Sequence, residues 1–152
     1  PLRDGIRSFL QLIVDEFDDF AANLTSGDYV LRALAKKAFH HAADGHLEPE
    51  KNFSAESSFA DPANLDLIRC KLKSNRITFG PKNDEENITI LHGADPVPAP
   101  WAALVTWTES DASPFYCVEP WMGPPNAPEH ENGLHWVQPG ATEKFSVEVS
   151  LM

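Results

Sequence analysis

The sequence predicts an α+β chain, an N-terminal helical hairpin followed by antiparallel β-sandwich strands. Three observations carry this expectation. Apolar residues in the first forty positions recur at the i, i+3, i+4, i+7 spacing of one helix face. From about residue 66 the period falls to two, the alternation of a half-buried strand. Between them, Pro49, Pro62 and several serines interrupt any period. The expected organisation is a helical segment over 1–45, a linker or loop over 46–65 and a β-sandwich region over 66–152.

In the first segment Ile6, Phe9, Leu10, Ile13, Val14, Phe17 and Ala21 form one stripe, with Asp4 placed to cap the start. Asp15, Glu16, Asp18 and Asp19 fall mostly on the opposite, solvated face. The run Thr25-Ser26-Gly27-Asp28 breaks this helix and caps the next. Val30, Leu31, Leu34, Ala38 and Phe39 make the second stripe, which ends near Gly45. Phe9, Ile13, Phe17, Leu31 and Leu34 are therefore expected to be buried, either within this chain or against a partner.

The β region opens with Ile68, Cys70 and Leu72 alternating with Arg69, Lys71 and Lys73, which read as the wet face of a strand. Residues 77–79 and 88–91 are further short strands. Residues 103–108 and 115–119 predict a hairpin. Residues 123–133 form a proline-rich loop. Phe145, Val147, Val149 and Leu151 alternate with Ser146, Glu148 and Ser150, the clearest strand pattern in the chain.

Composition narrows the function. The 152 residues are enough for one domain with its own core. Net charge is −11, from 23 acidic and 12 basic residues. That disfavours nucleic acid and anionic membrane surfaces, which need clustered Lys and Arg. No stretch reaches the ~20 apolar residues of a membrane span, and no signal-peptide pattern opens the chain. A soluble protein is expected, with the cytoplasm favoured and the compartment otherwise open. Cys70 and Cys117 each lie in an apolar run, which predicts buried thiols. His130 and His135 flank Asn132-Gly133 without a cysteine pair, so no metal site is expected.

One carboxylate stands out. Tyr116, Cys117 and Val118 suit a pleated strand, while Pro120 cannot donate to a ladder, so the strand should stop there or lie at an edge. Glu119 then sits at a strand end, with Trp121 and Trp136 available as an apolar wall. A carboxylate so placed can act as a general base. Its other reading is a strand-end charge that only pairs or faces water. Trp107, in mid-strand, is read as core.

This stretch and its surroundings resemble the C-terminal end of the aldose 1-epimerase (galactose mutarotase-like) family, over residues about 100–151. The resemblance rests on Pro100-Trp101-Ala102-Ala103-Leu104-Val105-Thr106-Trp107-Thr108, on Phe115-Tyr116-Cys117-Val118-Glu119-Pro120-Trp121 and on Gly123-Pro124-Pro125-Asn126-Ala127. Asn132-Gly133-Leu134, Pro139-Gly140 and the final strand continue it. It implies part of an antiparallel β-supersandwich, with Glu119 as catalytic base and Trp121 and Asn126 as substrate-binding residues. The reaction implied is interconversion of sugar anomers by proton transfer, without a cofactor.

The family's acid histidine and its sugar-binding arginine and asparagine lie in an earlier segment that nothing here matches. The expectations are a piece of a longer protein, a cleaved chain, or a degenerate member with a new N-terminal region. The implied partner is a small sugar, aldohexose or sugar phosphate, together with another protein chain or a missing N-terminal segment. The chain alone should then be inactive. The alternative is a non-catalytic binding or assembly module, derived from the same fold, whose N-terminal helices dock on a partner.

Overall fold

The computed structural model describes residues 12–13, 26–83, 87–110, 113 and 115–152. Among them are eleven strands, all paired antiparallel, and one four-residue helix. The strands are β1 (Leu12–Ile13), β2 (Tyr29–Arg32), β3 (Ala35–His41), β4 (Leu47–Glu50), β5 (Glu56–Ser58) and β6 (Asp66–Leu72). They continue with β7 (Arg76–Pro81), β8 (Ile88–His92), β9 (Ala102–Trp107), β10 (Cys117–Met122) and β11 (Val147–Leu151). The helix, α1, is Ala127–His130, and short 3-10 turns precede β2 and β6.

One sheet has the order β1-β10-β9-β6-β3-β4 and the other β11-β8-β7-β2-β5. They face each other across a buried cluster. Leu31, Ala33, Phe59, Ile77, Phe79 and Ile90 meet Leu72, Ala102, Leu104, Tyr116 and Val118 there. Phe59 stacks on Tyr116 with ring centroids 4.1 Å apart. A second cluster, Phe39, Ile68, Cys70, Ala103 and Val105, lies on the six-stranded sheet's other face, called here its outer face.

The α+β expectation is overturned, and among the described residues the fold is almost wholly β. The stripe read as a second helix forms β2 and β3. Leu31 is buried between the sheets, but Leu34 is 48% exposed in the connection between the two strands. A short run of apolar residues fits either period, and pairing decided it. β2 gains ladders on both sides, with β5 and β7, and β3 with β4 and β6. Residues 4–21, read as the first helix, lie outside the described residues apart from Leu12–Ile13, which pair with β10. The stretch read as a linker carries β4, β5 and a 3-10 turn at Pro62–Asn64 capped by Asp61.

Arg69 is the sharpest departure in the β region. It does not face water; it is 1% exposed between the sheets. β6 is a central strand covered on both faces, so alternation could not mark a wet side. Its Nη2 donates to Asn64 Oδ1 at 2.6 Å and Ser57 Oγ at 3.1 Å, and Nη1 to Thr106 Oγ1 at 3.2 Å. Burial pulls its pKa down to about 10, which still leaves it charged at neutral pH. Lys71 follows at φ 53, the left-handed region. Cys70 before it belongs to the outer cluster and Leu72 after it to the inter-sheet core.

Two prolines sit inside strands. Gly123 N–H donates to the Trp101 carbonyl at 2.9 Å, so odd-numbered residues of β10 bond toward β9. Pro120 therefore turns its nitrogen away from β9, to the side on which β1 pairs. The strand does not stop at Pro120 but runs to Met122. In β4 the Ala42 N–H to His46 carbonyl bond makes the even-numbered residues bond toward β3, and Pro49 turns its nitrogen away from it. Pro49 thus faces the open edge of the sheet, and Pro120 leaves the ladder with β9 intact. Among the described residues, no helix is long and apolar enough to cross a membrane.

Candidate functional site

The β9–β10 hairpin presents the candidate site. Its loop is closed by Thr108 Oγ1 donating to the Phe115 carbonyl at 2.7 Å and by Ser110 N–H donating to Ser113 Oγ at 2.9 Å. Residues two apart on a strand share a face. Cys117, Glu119 and Trp121 accordingly lie on the outer face, while Val118 enters the inter-sheet core.

Glu119 and Trp121 are joined directly. Trp121 Nε1–H donates to Glu119 Oε2 at 2.8 Å. A hydrogen bond to a carboxylate is stronger than a neutral one and fixes its rotamer. With Oε2 engaged, Oε1 is the oxygen that can accept a proton. Trp121 is held in turn from the other sheet, where His92 Nε2 donates to its carbonyl at 3.1 Å. A carbonyl only accepts, so Nε2 carries the proton and Nδ1 the lone pair. His92 is buried, Nδ1 has no hydrogen-bond partner, and burial pushes its pKa below the ordinary histidine range. Trp101 and Phe145 pack around it, with ring centroids 6.1 and 5.1 Å away.

Across the outer face the ladder register aligns Glu119 with Val105, Ile68 and Phe39. The parallel row runs Trp121, Ala103, Cys70 and Lys37. Three strand spacings separate β10 from β3, about 14 Å. The loop after β10 crosses the β3 side of this face. Lys37 Nζ donates to Asn132 Oδ1 at 2.9 Å, and the His130 ring stacks on Phe39 at 6.0 Å. His46 lies 3.2 Å from Glu129, and Asn126 Nδ2 donates to the Gly45 carbonyl at 2.8 Å.

Glu119 and Trp121 are thus brought together, and Asn126 is not with them. Asn126 sits at φ 54 and uses its amide to tie the loop to the β3–β4 turn. Trp136 does not wall the carboxylate; it is 74% exposed, next to His135, which packs on Trp101 at 5.6 Å. Trp107, read as core, is an exposed rim residue packed on Phe115. Cys70 and Cys117 are buried, and burial pushes the Cys70 thiol up to about 12. Among the described residues no group of His, Cys, Asp or Glu is gathered to hold a metal.

As chemistry, this is an oriented carboxylate beside an indole. A proton acceptor is present. Among the described residues its row neighbours Val105, Ile68 and Phe39 are aliphatic or aromatic. His92 and Lys37 were missed in the sequence. Asn132 lay in a quoted motif and His130 was weighed only as a metal ligand, and no spacing signalled the contacts these four make.

Fold and site together define an antiparallel two-sheet β protein with a tryptophan-oriented carboxylate on the outer face of its larger sheet. No family model, curated protein or solved structure matches this chain.

Proposed function

We propose that the chain is a carbohydrate-binding protein of aldose 1-epimerase type, with Glu119 as the base of the site and Trp121 as the residue that orients it. The observation that carries this reading is the 2.8 Å bond from Trp121 Nε1 to Glu119 Oε2. An indole beside a carboxylate offers an apolar surface for one face of a pyranose and an acceptor for its hydroxyls. In the reaction, Glu119 Oε1 takes the proton of the C1 hydroxyl, an acid protonates the ring oxygen, and the ring opens and recloses on either face. The acid comes from a second chain or segment.

A second reading is favoured by the aliphatic row beside Glu119. It is a non-catalytic module that keeps the sugar-binding surface and performs no turnover.

The test is titration with D-galactose and D-glucose, followed by the Trp121 indole N–H resonance in ¹⁵N NMR. Sugar is expected to move that resonance in the wild type and not in Glu119→Gln. Absence of any shift at saturating sugar overturns both readings. Polarimetry on fresh α-anomer separates them. Equilibration above the buffer rate that needs Glu119 supports the enzyme, and binding without it supports the module.

A further inference from the structure

β11 has one edge in use. Its partner β8 bonds to it on one side, and among the described residues no strand lies on the other. Glu148, Val149, Ser150 and Leu151 are all exposed.

The parity of its backbone groups is fixed by the bonds it does make. Gly93 N–H donates to the Ser146 carbonyl at 2.9 Å. Asn87 and Met152 exchange both backbone bonds, at 3.0 and 2.9 Å. Bonded and non-bonded pairs alternate in an antiparallel ladder. Ser146, Glu148, Ser150 and Met152 therefore bond toward β8, while Val147, Val149 and Leu151 turn their N–H and C=O groups outward. The same three residues are the apolar ones, opposite His92, Ile90 and Ile88 on the sheet's inner face. Val147 reaches the inter-sheet core, but Val149 is 39% and Leu151 72% exposed.

We propose that this edge pairs with the β11 edge of a second copy, antiparallel, about a two-fold axis through Val149. The proposal does not depend on the carbohydrate reading. The register is self-complementary in three ways. Val149 meets the partner's Val149, and Val147 meets the partner's Leu151, so every outward N–H in the strand finds a carbonyl. The apolar residues of both copies stay on one face, because the axis is perpendicular to the sheet. On the other face Glu148 meets the partner's Ser150, and no two carboxylates are directly opposed, which would destabilise the pair. Such an interface is isologous and closes at two chains. The opposing force is the net charge of −11 on each copy, which salt screens.

Sedimentation velocity over a range of protein and sodium chloride concentrations tests this. The wild type is expected to dimerise, more strongly at higher salt, with amide exchange at Val147, Val149 and Leu151 slowing as the dimer forms. Val149→Pro removes one outward N–H and none that bonds to β8. It is expected to abolish the dimer with an unchanged circular dichroism spectrum, and Val149→Lys to do the same by charge. A wild type that sediments as a monomer throughout overturns the proposal. So does a dimer that both variants leave intact.

Discussion

Trp121 contacts Glu119 with its side chain and His92 with its backbone. Its indole donates to the carboxylate at 2.8 Å and its carbonyl accepts from the imidazole at 3.1 Å. The candidate base is thereby tied through one residue to a buried histidine of the opposite sheet. His92 is a positioning residue here, since it touches Trp121 and not the reacting atoms.

Trp121→Phe keeps the ring and removes the donor. A hydrogen bond to a charged group is worth about 1.5–3 kcal/mol net, so the fold is expected to survive with a loss of at most that order in urea denaturation. Sugar-induced shifts at neighbouring amides are expected to vanish with it. Unchanged sugar binding in this variant would separate the carboxylate's orientation from recognition.

Acid should weaken the fold through His92. Its pKa is lowered in the folded state by burial, so the unfolded chain binds the proton more readily. Stability is then full above the ordinary histidine pKa and declines as pH falls below it, with a slope of up to about 1.4 kcal/mol per pH unit. His92→Gln is expected to flatten the difference between urea midpoints at pH 7 and pH 5. Equal pH dependence in the two proteins would remove His92 as the source.

Arg69 and Asn64 should respond unequally to mutation. Asn64→Ala strips the shortest of the bonds around a buried guanidinium and should cost about 3 kcal/mol or more. Arg69→Met removes the charge itself and leaves Asn64 Oδ1 still bonded by Ser57 Oγ at 3.2 Å. It should cost less. Guanidinium denaturation of both variants gives the order, and the reverse order would refute this account of the buried charge.

Gly133→Ala should loosen the loop over β3. A Cβ there would lie 2.8 Å from Pro124 Cδ and 3.4 Å from the Trp101 carbonyl oxygen, at a φ of +69°. Left-handed strain alone costs about 1–2 kcal/mol. A lower Tm is expected, with faster amide exchange over residues 126–132. A Tm at the wild-type value would show that the loop yields without cost.

The alternation of β11 stood in the sequence because its side chains follow a period of two. The β9–β10 hairpin stood as two short apolar runs around a polar turn, although β9 is buried on both faces. β2 and β3 were misread as helix because Val30, Leu31, Leu34 and Ala38 satisfy a helical spacing, and only the long-range ladders with β6 and β7 choose between the periods. Arg69 was misplaced for a related reason, since burial on both faces erases alternation. At the site, Glu119 and Trp121 were legible as residues two apart on one strand. The His92 contact was not, because its acceptor is a backbone carbonyl 29 positions away. Asn126 also could not be placed, since its partner is the carbonyl of Gly45.

Pro49 turns its nitrogen outward on β4, an edge strand of the six-stranded sheet, so a foreign strand approaching there would meet a gap in the row of N–H donors. β11, an edge of the five-stranded sheet, carries no proline. The two sheets therefore differ in how open they are to strand addition. Pairing through β11 uses the sheet that does not carry Glu119, so it leaves that carboxylate accessible in both copies.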